Sequence, residues 1–239
     1  MNQRTKQSQP VKLTIFAVLA VILGIMIAAG SPSCRHHHHN GLARAVNNIK
    51  QVKLALDVFA IDFDGKYPDR ITAVELGMKP SDFEFSNDYF RQLLIAGETQ
   101  SERIFWSKGS PVARKRAPDD KVLGADGRPS EDLILEPGDV HWAYMTGQTD
   151  TSDQARPLLM DPFLPGTTQW DDKLWNRKVI VLRIDGSAKA LPMRISDGKI
   201  LDPSNHGYLS SDSAIWQGGM GEQLVLDPMV LLVQPEPAN

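Results

Sequence analysis

Few residues in this 239-residue chain are placed to do chemistry. His36–His39 form a run of four histidines, whose neutral imidazoles are divalent-metal ligands. Consecutive positions on a helix point around the axis, so at most two could converge on one ion, and a polar linker is the plainer reading. Asp62, Asp64 and Asp69 flank Gly65 and offer oxygen ligands of the kind calcium takes. Their spacing differs from an EF-hand, because the glycine directly follows Asp64, and the same residues serve equally well as caps and turn formers. Asp171 and Asp172, between Trp170 and Trp175, make a second oxygen-rich loop. His141 and His206 stand alone in sequence, and Arg114-Lys115-Arg116 is a short basic run. The chain has no G-x-S-x-G, H-E-x-x-H, G-x-x-x-x-G-K-[ST] or G-x-G-x-x-G. The expectation is a non-enzyme with no cofactor. Calcium at Asp62, Asp64 and Asp69 is the one weak metal candidate.

Composition limits the rest. With Cys34 as the single cysteine, an intramolecular disulfide and a cysteine zinc site are both excluded. A net charge of −3 gives no case for nucleic acid, but the mean conceals an asymmetry. The first acid is Asp57. Before it come Arg4, Lys6, Lys12, Arg35, Arg44, Lys50 and Lys53, so a basic N-terminal stem precedes an acidic body.

Between those bases lies LTIFAVLAVILGIMIAA, residues 13–29, without a charge. Seventeen residues of helix span about 26 Å, the short end for crossing a bilayer, and Lys12 can snorkel. Three bases before the run keep the N-terminus inside. The reading is a cytoplasmic segment 1–12, a transmembrane helix 13–29, a linker 30–40 and an extracytoplasmic domain 41–239, held on the inner membrane with its body periplasmic. A cleaved signal peptide ending near Ala28-Ala29-Gly30 is the alternative.

After Pro32, a helix is expected from Gly41 to Phe63. Leu42, Ala45, Ile49, Val52, Leu56, Phe59 and Phe63 recur in alternating steps of three and four, giving one apolar stripe. Lys53 and Asp57 fall off that stripe and read as solvated. Asp64-Gly65 stops the helix. A second helix is expected over Ser86–Ala96, with Ser86 as N-cap and Gly97 as its terminator. Residues 107–139, rich in Gly, Pro and charge, read as a long surface loop. Strands are expected at 140–145, 156–163, 178–184, 187–193 and 223–233, with Asp185-Gly186 joining the third and fourth in a type I′ turn. Helices first and strands later indicate α+β: an amphipathic stem helix packed on an antiparallel sheet.

The segment NNIKQVKLAL at 47–56, followed by DFDGKYPD at 62–69, resembles the type IV pilin and type II secretion pseudopilin superfamily. It is most similar to the prepilin-like proteins abundant in Verrucomicrobia and Planctomycetes. In these, N-x-K-Q-[IV]-x-L-A-L follows an apolar segment and D-x-G-x-[YF]-P ends the helix. The run Val181–Ser187 is similar to their sheet hairpin. The resemblance covers residues 10–70 and, loosely, that hairpin; 98–139 has no counterpart. It implies a long helix laid on an antiparallel sheet, a structural or interaction role, and pilin-like or secretion-system subunits as partners. Some pseudopilins bind calcium, but in a C-terminal loop. The chain departs from the family at two points. Lys12 stands where prepilins carry the glycine of the cleavage site, and no glutamate occurs before Glu75. Prepilin peptidase is therefore expected not to cut. Other readings are an extracytoplasmic binding module on a pilin-like stem and an enzyme whose pocket is lined by His141 or His206.

Overall fold

The run Val179–Leu182 is four apolar residues long, and a strand of that composition must be covered on both faces. In the computed structural model, which describes residues 36–130, 133–209 and 232–238, it forms the body of a central strand. The strands are β1 (Ala143–Met145), β2 (Pro157–Met160), β3 (Lys178–Arg183), β4 (Ala188–Pro192) and β5 (Leu232–Val233). They make one sheet in the order β4-β3-β2-β1-β5. Every neighbouring pair is antiparallel. A register shift between Pro157 and Leu159 marks a bulge in β2, which accounts for adjacent Leu158 and Leu159 joining the same core.

Side chains alternate across the sheet as the pleat requires. Tyr144, Ile180 and Leu182 join the core beneath the helices. Ala143, Met145, Val179 and Val181 join a second core, closed by Trp170, Ile200 and Tyr208 from the later loops. The architecture is therefore α+β, with helices on one face of the sheet and irregular chain on the other.

The helical cover is α1 (His36–Asp62), 27 residues and about 40 Å long. Ala45, Ile49, Val52, Leu56 and Phe59 are almost wholly buried, and Leu42 and Phe63 pack partly buried on the same core. The stripe read from the sequence thus faces inward. Two expectations are corrected. The helix already includes residues 36–40, expected as linker, and nothing in His36–Asn40 breaks a helix. Gly41 sits inside it, against the Trp175 ring, which a Cβ there would meet at 3.4 Å. Lys53 is also not solvated. It is 7% exposed, its ammonium pairs with Asp57, and it lies 5.7 Å from the Tyr67 ring centre. The stem of a lysine buries readily when its head finds a charge and an aromatic face.

Asp69 caps α2 (Arg70–Glu75), which the sequence reading lacked: its Oδ1 accepts the amides of Ile71 and Thr72, each at 2.7 Å. In α3 (Ser86–Ile95), Phe85 occupies the N-cap position and Asp88 Oδ2 accepts the amides of Glu84 and Phe85. Ser86, expected to cap, instead donates its hydroxyl to the Trp142 carbonyl at 2.8 Å. Gly97 ends the helix with φ 85°, as expected. The β3–β4 connection has one left-handed residue, Gly186 at φ 78°, where a type I′ turn needs two. Gly186 N–H bonds to Arg183 O and Arg183 N–H to Ser187 O, a tight turn followed by a glycine bulge.

Residues 232–238 tie distant segments together. Gln234 O accepts Ser86 N–H, Glu236 O accepts Gly138 N–H, and Ala238 N–H donates to Val112 O. Gly138 has φ 82°, and a Cβ there would lie 2.6 Å from that of Ala238, so only glycine fits. Residues 40–239 form one compact unit. Among the described residues no helix is long and apolar enough to cross a membrane. The apolar run 13–29 and most of the expected strand 223–233 lie outside the described residues.

The inward stripe sets a stability contrast. Leu56→Ala should cost roughly 2–5 kcal/mol, whereas Leu54→Ala, two residues away and 65% exposed, should change stability by less than about 0.5 kcal/mol. Lys53→Ala should fall between them, at about 1 kcal/mol, through lost packing and pairing. Denaturant unfolding of residues 40–239 measures all three.

Candidate functional site

Three places in the fold concentrate polar chemistry, and one of them is an open cleft. The first is Asp161, at the end of β2. Its Oδ1 lies 2.8 Å from His141 Nε2 and accepts Trp175 Nε1–H at 3.1 Å; its Oδ2 accepts the Ile180 amide at 2.5 Å. The Asp161 carbonyl also accepts Trp170 Nε1–H at 3.1 Å. His141 and Asp161 are 0% and 3% exposed. The two tryptophans therefore gather around Asp161 and not around Asp171-Asp172. Asp171 forms a local turn by accepting the Lys173 amide at 2.9 Å. A histidine–carboxylate pair can serve a nucleophile; here both side chains are buried, and their bonds run to the surrounding chain. The arrangement pins the tryptophan loop to the sheet. Asp161 was missed because its partners are 14–20 residues away in sequence. Its signal was a lone acid inside a strand-like apolar run.

The second place is the turn after α1. Asp62, Asp64 and Asp69 do not converge on a common point. Asp69 Oδ1 is taken by the α2 cap, Asp64 adopts a left-handed φ of 53° in the turn, and Asp62 faces Glu98, whose carboxyl is raised by burial and by that neighbour. Among the described residues no group of three histidine, cysteine, aspartate or glutamate side chains could hold a metal. The His36–His39 side chains lie outside the described residues. His206 is a surface residue, its amide donating to Asp202 Oδ1 at 2.8 Å.

The third place is the segment 98–139. Its part 107–139 is not the surface loop expected, because it buries Val112, Val122, Ile134 and Leu135. Beyond the 3-10 turn Glu102–Ile104 its described residues form no helix, and it is organised by buried polar groups. Asp120 Oδ1 accepts the amides of Glu102 and Arg103. Glu102, 2% exposed, accepts the amide of Leu135 at 2.8 Å. Leu135 is left-handed at φ 48°, an unusual state for leucine. Its carbonyl is held by Asn87 and Arg91, so bonds from both sides keep it there. Arg114, expected in a solvated basic run, is a clasp. It donates to the Pro137 carbonyl and to Glu136, and lies 3.6 Å from Asp139.

These residues enclose an open cleft of about 850 Å³. Glu102 and Asp139 line its buried side, Val122, Leu123 and Leu133 its apolar side. Burial pushes the carboxyls of Glu102 and Asp139 up from their ordinary values; the Leu135 amide opposes this for Glu102, and Arg114 for Asp139. The cleft is in the size range of ligand sites. Nothing in the sequence reading located it, because its residues are loop residues whose meeting depends on long-range bonds.

Two expectations follow. Asp161→Asn keeps the shape but turns one acceptor into a donor, and should cost about 1–3 kcal/mol for each buried donor it orphans, while His206→Ala should stay within about 0.5 kcal/mol; thermal unfolding separates them. Glu102 binds its proton more tightly folded than unfolded, so its contribution is full below the ordinary glutamate range and is lost as pH rises through the folded value. Glu102→Gln retains an acceptor for Leu135 and should remove that loss. Its melting temperature relative to wild type should therefore rise between pH 4 and 7.

Comparison with family models, with curated proteins and with solved structures gives no match, so the functional reading rests on the sequence and the geometry alone.

Proposed function

We propose that this chain is a membrane-anchored, pilin-like structural and interaction subunit of a type II secretion or type IV pilus-type system. In this reading the N-terminus is cytoplasmic, residues 13–29 cross the inner membrane and the α+β head is periplasmic. The observation that carries it is the two-sidedness of α1. One face holds the head together. The opposite face carries Leu54, Val58 and Ile61 at steps of four and three, exposed by 65, 40 and 79%. Burying a leucine or isoleucine side chain is worth about 1.5–3 kcal/mol, so a row of three is costly to leave in water and suits a partner helix.

The partner in this reading is the stem helix of another pilin-like subunit. The apolar run ends seven residues before α1 begins. Subunits anchored in the same bilayer by such runs would carry their stem helices at similar heights, and helix-to-helix packing needs no change in the head. The missing glycine before the run implies that the basic segment ahead of it, with Arg4 and Lys6, is retained.

A reporter fused after Asn239 should be active only outside the cytoplasm, and intact-mass analysis should find Arg4 and Lys6 still present. Leu54→Ser with Ile61→Ser should reduce co-purification of pilin-like subunits while leaving the unfolding midpoint of the head nearly unchanged. Cytoplasmic reporter activity would overturn the reading, and so would recovery of the chain alone whichever residues occupy 54 and 61.

A further inference from the structure

We infer that the cleft beside Glu102 and Asp139 is a binding site for an organic cation with an aliphatic body, an alkylammonium such as a diamine or a lysine side chain. The charge on its wall is unbalanced at depth. Near the mouth each acid has a partner: Asp119 with Lys121 at 3.2 Å, Asp120 with Arg103 at 3.0 Å, Glu136 with Arg114 at 2.6 Å. The two deep acids differ. Asp139 is 4% exposed, and its buried Oδ1 receives no hydrogen bond among the described residues. The nearest cation, Arg114 Nε at 3.6 Å, spends its hydrogen on the Pro137 carbonyl. Glu102 accepts the Leu135 amide and has no ion pair among the described residues. A buried carboxylate without a full complement of donors is an expensive group to keep. A ligand that supplies both N–H donors and positive charge relieves it.

The rest of the wall selects among cations. Val122, Leu123 and Leu133 present an apolar side, with Leu123 and Leu133 exposed by 57 and 48%. Methylene groups gain by covering them, whereas a bare metal ion gains nothing. No three metal-type side chains gather among the described residues, which also disfavours an inorganic ion. An anion would meet five carboxylates and only three basic side chains, Arg114, Arg116 and Lys121. Arg114 is already committed. A cleft of about 850 Å³ accommodates a chain of several methylenes between an ammonium and a second polar end.

The site does not depend on the anchoring or subunit reading, and its test leaves that reading untouched. Calorimetric titration of the full chain in neutral detergent would use cadaverine, N-acetyl-lysine amide and, as an uncharged match, 1,5-pentanediol. Cadaverine or the lysine amide should bind saturably with Kd below about 1 mM, the diol at least tenfold more weakly. A stronger response to cadaverine assigns a free diamine, and a stronger response to the amide assigns a lysine side chain. Asp139→Asn should weaken binding at least tenfold. Leu123→Ser, on the partly exposed apolar wall, tests the same site without touching a buried charge and should weaken it several-fold; Asp171→Asn, in a separate loop, should leave it unchanged. Absence of saturable binding by either amine would overturn the inference, as would equal binding of the diol, or wild-type affinity in both the Asp139 and Leu123 variants.

Discussion

The constraint from which the rest of the structure follows is that a short sheet with an apolar central strand must be covered twice. Val179 and Val181 need one cover, Ile180 and Leu182 another. An amphipathic helix meets much of the second need cheaply, since one apolar stripe supplies a long contact, and α3 adds Tyr89 and Phe90 against Tyr144. Among the described residues no helix meets the first. Irregular chain at 163–177 and 193–209 does so instead, and irregular chain carries polar backbone that must be satisfied wherever it is buried. Asp161 answers that difficulty. One carboxylate and one carbonyl fix two indole rings, an imidazole and a strand amide, and so hold in place a layer with little regular structure of its own.

What was legible in the sequence was what depends on period. The stripe from Leu42 to Phe63 lies inward, and the β3–β4 hairpin falls within a residue or two of its expected bounds. These signals are local, because each residue's role follows from its neighbours along the chain. The same logic failed at Lys53. Period placed it outside, but Asp57 on the next turn and Tyr67 beyond the turn make a pocket that a charged head and a long stem can share. It failed also at Ser86, where a hydroxyl suited to capping found a strand carbonyl instead.

The candidate cleft was illegible for a related reason. A reading of 107–139 by composition sees glycine, proline and charge, and infers solvent. Several of those charges are instead committed to fixed partners: Asp120 holds the amides of a 3-10 turn, and Arg114 clasps three carbonyl and carboxylate groups, while Glu102, just upstream, holds a strained leucine. A segment built this way has few degrees of freedom left, which suits a binding wall, but each buried charge needs a specific distant partner. Such partners leave no periodic trace.

The short tail at 232–238 bears on the order in which the molecule is made. Gly138 and Val112, which flank the cleft-lining residues Asp139 and Arg114, bond directly to Glu236 and Ala238, synthesised about a hundred positions later. Translation at roughly 5–20 residues per second leaves α1, α2 and α3 waiting many seconds for that tail. During that interval the helical layer can collapse, but β1 lacks its outer neighbour and the cleft lacks one of its supports. The cleft is thus completed late, and a partially made chain lacks the bonds that brace it.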